Sequence, residues 1–220
     1  MTVIEFNFND DWMGEISRRL GDLNDKTPDV ISQATNSTAR KARKLIVQSL
    51  REHYAEDAKT KEYNAAMKIA RASRKKYDAT IYIRGKVQNL RRFNVSPKDP
   101  PASGSNRPPT TRAQVLLQGG LKELNKGGIK AFITTFKNGD VVVAQRNGSF
   151  YTYHRPTGGI DRHHEAIDKL WSISIPKMAE SQLDPKTVRG NMRDTIQAIL
   201  VEEIEKQIAR QLAKHGGNTG

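Results

Sequence analysis

Residues 130–154 read KAFITTFKNGDVVVAQRNGSFYTYH and contain two Asn-Gly pairs, at 138–139 and 147–148. Short runs of strand-forming residues lie before, between and after these pairs. Asn-Gly suits the type I′ turn, in which both central residues need a positive φ. The segment therefore predicts a three-stranded antiparallel meander that turns at both pairs. Because side chains alternate between two faces along a strand, we expect helices elsewhere in the chain to cover the apolar face.

Helical periodicity precedes the meander and predicts an N-terminal helical region over residues 10–76. Its first helix, with Asp10 or Asp11 as N-cap, carries apolar residues at Trp12, Ile16, Leu20 and Leu23. The second begins with Thr27 as N-cap and Pro28 at the first helical position. Its apolar stripe consists of Val30, Ile31, Ala34, Thr38, Ala42, Leu45, Ile46 and Leu50. The third begins near Thr60, with Tyr63, Ala66, Met67 and Ala70 on one side and a basic exposed surface.

A helix is also predicted after the meander, over residues 183–215. Asp184 and Pro185 supply its N-cap and first helical position, and apolar residues step by three or four from Val188 to Leu212. Residues 156–182 mix a Gly-rich turn, a short amphipathic piece and an extended piece before Pro176. Their geometry is left open by the sequence.

An antiparallel sheet is predicted over residues 78–155. Its first strand covers 79–83, where apolar and polar residues alternate before Gly85, and another strand lies at 115–117. Between them, residues 97–112 include five prolines and almost no large apolar residue. Such a segment cannot offset its ordering entropy by burial, so we expect a mobile loop that projects from the rim of the sheet and orders on an assembled particle.

Composition favours one α+β domain over residues 1–220. Hydrophobic residues make up 36% of the chain and charged residues 28%, which is enough for a modest core under a strongly solvated surface. No apolar run is long enough to cross a bilayer, and acidic residues stand where a signal peptide would be basic. The chain has no cysteine, which fits a reducing compartment. We therefore expect a protein without membrane contact that is not secreted.

The net charge of +13 is unevenly distributed. Between Arg40 and Arg92 there are 16 Lys/Arg and 5 Asp/Glu. Such a region attracts nucleic acid, docks on an acidic protein, or is merely a solvated surface. Aromatic residues that could stack on bases lie near these cations at Tyr77, Tyr82 and Phe93. Helix-turn-helix, zinc and RNP patterns are absent from the sequence, which disfavours sequence-specific recognition.

The sequence gives no support for catalysis, a cofactor or a metal, so no site residues are predicted. The glycine pairs do not form a phosphate-binding pattern. The nearest approach to a ligand set is His163-His164-Glu165, with His154 and Asp161 nearby. Adjacent residues of a helix point about 100° apart and do not readily face one ion. A hydrolase that uses the three histidines is the least favoured class, because no nucleophile, base and acid share a recognisable spacing.

Several segments together resemble the phage minor tail protein Z family, the tail-completion proteins of long-tailed phages. The resemblance rests on GIKAFITTFKNGDVVVAQR at 128–146 and LWSISIPKM at 170–178. Earlier support comes from the helical N-terminal half, ATIYIRG at 79–85 and NLRRFNVSP at 89–97. It spans about Val30 to Met178. The chain departs from the family pattern at 172–176, where a Gly-Pro-Ser-like turn is expected.

The resemblance implies a virion structural protein, not an enzyme, at the head-proximal end of the tail, made in the host cytoplasm. It implies action in tail completion and head–tail joining through contacts with the tail terminator, tail tube or head-connector proteins. From the expected symmetry of the tail we expect a hexameric ring. The alternative is a nucleic-acid-binding module that uses residues 40–92 without sequence specificity, so contact with phage DNA stays open.

Overall fold

The computed structural model describes residues 1–6, 10–57, 60–101, 110–153, 162–183 and 191–216. Helices and antiparallel strands both contribute to it, which confirms the α+β class. The chain forms two compact units. Unit 1 comprises Met1–Leu50, Lys59–Lys86 and Ser174–Gly220, and unit 2 comprises Arg51–Ala58 and Val87–Ile173. The expectation of a single domain over 1–220 stays a prediction.

Each α-helix of the described residues has its first residue in unit 1. The helices are α1 (Asp10–Leu20), α2 (Thr27–His53), α3 (Thr60–Ala66), α4 (Ile175–Leu183) and α5 (Asn191–Gly216). Three short 3-10 helices cover Gly21–Lys26, Leu90–Arg92 and Leu117–Gly119. The 3-10 turn at Gly21–Lys26 joins α1 to α2 without an extended linker.

The strands are short, with one exception. Unit 1 holds β1 (Thr2–Phe6), β2 (Met67–Ala70) and β3 (Ala79–Ile83). Unit 2 holds β4 (Val87–Asn89), β5 (Asn94–Ser96), β6 (Arg112–Gln114), β7 (Lys122–Glu123), β8 (Asn125–Lys126), β9 (Ile129–Lys130), β10 (Phe132–Thr135), β11 (Val141–Tyr153) and β12 (Arg162–Lys169). Strand β13 (Trp171–Ser174) leads from unit 2 into α4. At 13 residues, β11 is the long strand of the fold.

The strands pair into small antiparallel sheets. In unit 1 the order is β1-β3-β2, so β3 is central and its two neighbours are edges. In unit 2 the three-stranded sheets have the orders β10-β11-β12 and β5-β6-β7. Strand β8 pairs with β9, and β13 pairs with β4. The strand predicted at 79–83 is confirmed, whereas the strand predicted at 115–117 is wrong, because pairing with β5 and β7 places it at 112–114.

Helices α1, α2 and α5 build the core of unit 1. One face of each helix contributes to a single cluster of buried side chains, as the apolar periodicity predicts. The cluster consists of Ile16, Leu20, Val30, Ile31, Ala34, Leu200, Ile204 and Ile208. At the surface, Arg19 of α1 donates two hydrogen bonds of 2.5 Å to the carboxylate of Glu205 in α5. The predicted stripe of α2 and the middle of the α5 stripe therefore face the core, whereas Leu212 is 42% exposed and Val188 lies outside the described residues.

The start of α2 differs from the predicted N-cap. Thr27 has φ −49° and ψ −47°, which is a helical conformation, and its N–H donates to the carbonyl of Asn24. Because the 3-10 turn runs directly into α2, Thr27 is already inside the helical path. Its buried hydroxyl oxygen has no hydrogen-bond partner among the described residues. The backbone of the preceding 3-10 turn leads into α2, and the Thr27 side chain does not act as the predicted N-cap.

The third predicted helix is correct at its start and wrong at its end. Helix α3 begins at Thr60 as expected but ends at Ala66, so the helical region does not extend to residue 76. Met67 opens β2 instead and pairs with Ile83 of β3. Met67 and Ile83 are fully buried, so pairing with the central strand stabilises an extended conformation that local propensity does not favour.

The predicted meander exists, but its strands and second turn differ from the prediction. Strands β10, β11 and β12 form an antiparallel meander, and Asn138-Gly139 lies in the first turn as expected. Asn147-Gly148 is not a turn. It lies inside β11, which continues to Tyr153, and the third strand is β12. Phe132, Val142 and Ala144 form the small core of this sheet, with Phe136 packed against it.

A β-bulge explains why the second Asn-Gly pair does not end the strand. Arg146 pairs with Ile167 and Phe150 with Glu165, so β11 advances four residues while β12 advances two. Gly148 takes up the irregularity with φ +80°. The side-chain oxygen of Asn147 accepts a hydrogen bond from the Ser149 N–H (2.9 Å), and its amide donates to Asp168 (3.1 Å). Pairing on both sides of the bulge keeps the strand extended.

The first turn is not type I′. Gly139 has φ +83°, but Asn138 does not have a positive φ. The Gly139 N–H donates to the Phe136 carbonyl (2.9 Å), and the Phe136 N–H donates to the Asp140 carbonyl (2.9 Å). These bonds describe a three-residue loop in which only the last residue is left-handed. Glycine is required at 139 alone.

We predict that Gly139→Val lowers the free energy of unfolding by about 1–3 kcal/mol, because a β-branched residue is strained at positive φ. A Cβ at this position would have no heavy atom within 4 Å, so the cost comes from the backbone alone. Urea denaturation measures it. Gly14→Ala, in the exposed interior of α1, is the control and should stabilise by about 0.5–1 kcal/mol. An unchanged midpoint for Gly139→Val would contradict the strained turn.

Three further expectations concern loops and chain ends. The middle of the proline-rich loop, residues 102–109, lies outside the described residues, so the predicted mobility of 97–112 stays a prediction. The start of the C-terminal helix at 183–190 lies largely outside them too, whereas its helical nature and its end near 215 are confirmed by α5. Residues 162–182, left open by the sequence, form β12, β13 and most of α4, with Pro176 in the first turn of α4.

Candidate interaction surfaces

The described residues offer no metal centre. They contain no group of three or more His, Cys, Asp or Glu side chains placed to hold an ion. His163 and His164 occupy successive positions of β12, opposite Thr152 and Tyr151, and not a helix. Glu165 accepts a hydrogen bond of 3.0 Å from Arg146 in β11 and so joins the two strands. His154 and Asp161 lie outside the described residues.

Among the described residues, no helix is both long and apolar enough to span a bilayer.

Several cations of the basic region 40–92 are occupied by ion pairs. The region also divides between the two units, since 51–58 and 87–92 belong to unit 2. Among the described residues of this region, at least four basic side chains have acidic partners. These are Arg74 with Asp29 (2.6 Å), Lys41 with Glu203 (2.7 Å), Arg92 with Glu56 (3.2 Å) and Arg91 with Asp99 (3.4 Å). The 16 cations therefore do not act as one uniform patch.

The Lys41–Glu203 pair joins α2 to α5. The Glu203 side chain is 3% exposed, so burial raises the pKa of its carboxyl group. The hydrogen bond from Lys41 and the charges of Lys41 and Lys206 outweigh burial and hold the pKa of Glu203 below its usual value. In return, the hydrogen bond to Glu203 raises the pKa of Lys41. Lys41 is thus engaged in an ion pair within the fold.

The basic loop, residues 71–76 between β2 and β3, is different. Asn36 of α2 holds its backbone through two hydrogen bonds, donating to the Ala72 carbonyl (3.0 Å) and accepting from the Ala72 N–H (2.9 Å). Arg74 donates two hydrogen bonds of 2.6 Å to Asp29 of α2. Ser73 and Lys76 close the turn through their backbones. A loop with this many bonds to a helix presents its remaining side chains from a defined position.

The outer face of the β1-β3-β2 sheet continues the basic loop. Val3, Tyr82 and Lys68 are adjacent in register across the three strands. The guanidinium carbon of Arg84 lies 6.0 Å from the centre of the Tyr82 ring, within the range of a cation–π contact. Tyr82 is half-buried, whereas Lys68 and Arg84 are exposed. This face therefore adds two cations and one aromatic side chain to the loop.

Of the aromatic residues that sequence analysis placed near the cations, only Tyr82 remains a candidate for stacking. Phe93 is buried at 4% exposure. Tyr77 is half-buried and packs against the helical core of unit 1. The two serve the fold, as strand and loop aromatics commonly do.

A second surface lies in unit 2 and was missed by sequence analysis. Beyond the bulge, residues 150–153 of β11 pair with 162–165 of β12, and we call this two-stranded extension the hairpin arm. On it Phe150 is 70% exposed and Tyr151 is 55% exposed. Successive strand residues point to opposite faces, so the arm presents an aromatic side chain on each face. Two adjacent aromatic residues in the sequence of a strand predict such exposure, because a sheet with one buried face can bury only one of them.

A groove in unit 1 with a mixed polar and apolar lining forms a third candidate. It has a volume of about 600 Å³ and lies between edge strand β1 and helices α4 and α5. Phe6, Leu183, Ile196 and Leu200 contribute its apolar lining. Residues 184–190, between α4 and α5 in the chain, lie outside the described residues.

A comparison with protein-family models gives a match over most of the chain. The family model described as prophage minor tail protein Z matches residues 15–215 of the 220-residue chain. Searches of curated proteins and of solved structures found no match. The matched range includes the basic loop, the meander, the hairpin arm and nearly all of α5. At 172–176, where the resemblance predicts a Gly-Pro-Ser-like turn, the chain forms the end of β13 and the start of α4.

Proposed function

The chain belongs to the family of prophage minor tail protein Z, and from this premise we propose that it acts in tail completion and head–tail joining. Membership makes it a phage tail protein with its place in the virion. In the proposal it lies at the head-proximal end of the tail, is made in the host cytoplasm, and acts through protein contacts without catalysis. Its neighbours are the tail terminator, tail tube or head-connector proteins.

The observation that carries the proposal is the hairpin arm. The arm is narrow and has an aromatic side chain on each face. Within a single chain these side chains stay largely exposed to water. Burying such a side chain against a partner gains about 1.5–3 kcal/mol, and aromatic residues dominate the centres of protein interfaces. Among the described residues, β12 is an edge strand and so offers unpaired backbone groups to another strand. An arm of this kind supports assembly.

We further propose that the chain assembles with copies of itself into a hexameric ring. The two faces of the arm carry different residues. A contact between one face of one copy and the other face of the next copy therefore joins unlike surfaces. Repetition of such a head-to-tail contact produces a closed ring when the rotation between neighbours is suitable. Sixfold symmetry is taken from the expected symmetry of the tail.

We predict that Phe150→Asp reduces head-joined infectious particles more than tenfold, because a carboxylate cannot enter an apolar contact without a large desolvation cost. Complementation of a phage lacking the protein measures particle yield. Light scattering on the purified protein, alone and mixed with purified tails, measures association. Leu121→Asp is the matched control, since Leu121 is 43% exposed in unit 2 but lies outside the arm.

Both variants change exposed positions, so their melting temperatures should equal that of the parent. Normal particle yield with Phe150→Asp would overturn the assembly role of the arm. A protein that stays monomeric at every concentration, both free and on tails, would overturn the ring while leaving head–tail joining open to test by yield alone.

A further inference from the structure

Three cations of the basic loop lack an acidic partner. Arg71, Lys75 and Lys76 are exposed, and no described acidic side chain pairs with any of them. The nearby carboxylate of Asp29 is already occupied by Arg74 through two hydrogen bonds. Within the loop, Arg74 therefore anchors the backbone to α2, whereas the side chains of Arg71, Lys75 and Lys76 are exposed to solvent.

The loop also holds these charges in a defined place. The two hydrogen bonds between Asn36 and Ala72 and the pair of Arg74 with Asp29 fix the loop at its centre. Little backbone entropy remains to be lost when a ligand binds, which favours binding through only a few contacts. The adjacent cations Lys68 and Arg84 extend the charged surface along the sheet.

The composition of this surface indicates its ligand. Protein–protein interfaces have an apolar or aromatic centre that is depleted of lysine. Residues 71–76 read RASRKK and contain no large apolar side chain. Contacts to the nucleic-acid backbone, by contrast, depend on Lys and Arg facing successive phosphates. A rigid loop with charge alone fits a phosphate backbone better than an acidic protein surface.

We propose that the basic loop binds the phosphate backbone of double-stranded DNA without sequence specificity. Arg71, Lys75 and Lys76 contact the phosphates, and Lys68 and Arg84 add longer-range attraction. Sequence readout is absent because a short turn between two strands does not place a helix in the major groove. This activity is separate from the assembly role of the hairpin arm, which lies in the other unit of the chain.

The test measures binding of the full-length protein to a fluorescently labelled duplex of arbitrary sequence, of about 30 base pairs, by anisotropy over a series of KCl concentrations. Nonspecific binding has dissociation constants of about 10⁻⁴–10⁻⁶ M at physiological salt. The loop variant is Arg71→Gln/Lys75→Gln/Lys76→Gln. We expect it to bind at least tenfold more weakly. Its plot of log K against log [KCl] should be shallower by about 2.7, which is three phosphate contacts at about 0.9 each.

Two further variants separate the loop from general charge and from folding. Arg112→Gln/Lys122→Gln/Lys130→Gln removes the same net charge from exposed positions of unit 2 and should keep most of the affinity. Arg71→Lys/Lys75→Arg/Lys76→Arg keeps the charge of the loop and should bind like the parent. All three variants should keep the parent's melting temperature, because every substituted side chain is exposed.

Parental affinity and salt slope in the loop variant would overturn the proposal. An equal loss in the unit 2 variant would overturn it too, because net charge alone would then explain binding. If the loop variant keeps DNA affinity but loses binding to purified tails, the ligand is an acidic protein and not DNA. Failure of the assembly test with Phe150→Asp would leave this result unaffected.

Discussion

Ile204→Ala should lower the free energy of unfolding by about 2–5 kcal/mol. Ile204 lies on α5, is 1% exposed and packs in the cluster that α1, α2 and α5 share. Removing its side chain beyond Cβ loses transfer free energy and leaves a cavity that a well-packed helix interface closes only in part. Urea denaturation followed by far-ultraviolet circular dichroism measures the loss.

Val201→Ala is the control on the same helix. Val201 is 39% exposed, so the substitution should cost less than about 1 kcal/mol. Equal and small costs for Ile204→Ala and Val201→Ala would show that α5 does not pack on α1 and α2 through this face. A large loss at Ile204 alone would establish the docking of the C-terminal helix as the main source of stability in unit 1.

Arg92→Met should lower the free energy of unfolding by about 3–5 kcal/mol through unit 2. Arg92 Nε lies 3.2 Å from the carboxylate of Glu56, whose side chain is completely buried. The same segment is bonded through its backbone, since the Asp57 N–H donates to the Arg92 carbonyl (2.7 Å). Without the guanidinium, the buried carboxylate of Glu56 loses its ion pair with Arg92, and that cost exceeds the value of an ordinary surface pair.

Two comparisons identify the cause of that loss. Arg91→Met breaks the neighbouring pair with Asp99, which is exposed on both sides and should cost about 0–1 kcal/mol. Glu56→Gln combined with Arg92→Met should recover part of the stability, because the uncompensated charge is gone. If the double variant is less stable than Arg92→Met alone, the buried charge is not the source of the loss.

Much of the helical architecture follows from periodicity. The stripe from Val30 to Leu50 and the stripe from Ile196 to Ile208 bury most of the residues that a 3.6-residue repeat predicts, with Leu45 and Ile199 half-buried. Long amphipathic helices carry this information locally, because each turn repeats the same choice of face. The strand at 79–83 was predictable for the same reason, with a repeat of two.

Short elements were less predictable because distant pairing decides their conformation. Residues 67–70 continue a helical pattern, yet Met67 and Ile69 become strand residues by pairing with β3. Asn147-Gly148 is a good turn sequence, yet β12 pairs on both sides of it and turns it into a bulge. In both cases hydrogen bonds to a strand elsewhere in the chain outweigh a local preference worth about 1 kcal/mol or less.

The candidate surfaces also depend partly on the sequence alone and partly on the tertiary structure. The sequence by itself determined the family, the α+β class and the excess of cations between Arg40 and Arg92. Only the tertiary structure decided which of these cations are free. Lys41, Arg74 and Arg92 find carboxylates 162, 45 and 36 residues away in the chain, whereas Arg71, Lys75 and Lys76 find none among the described residues. The composition gives the number of charges. Which of them form ion pairs depends on distances between residues in the folded chain, and these distances cannot be read from the order of residues.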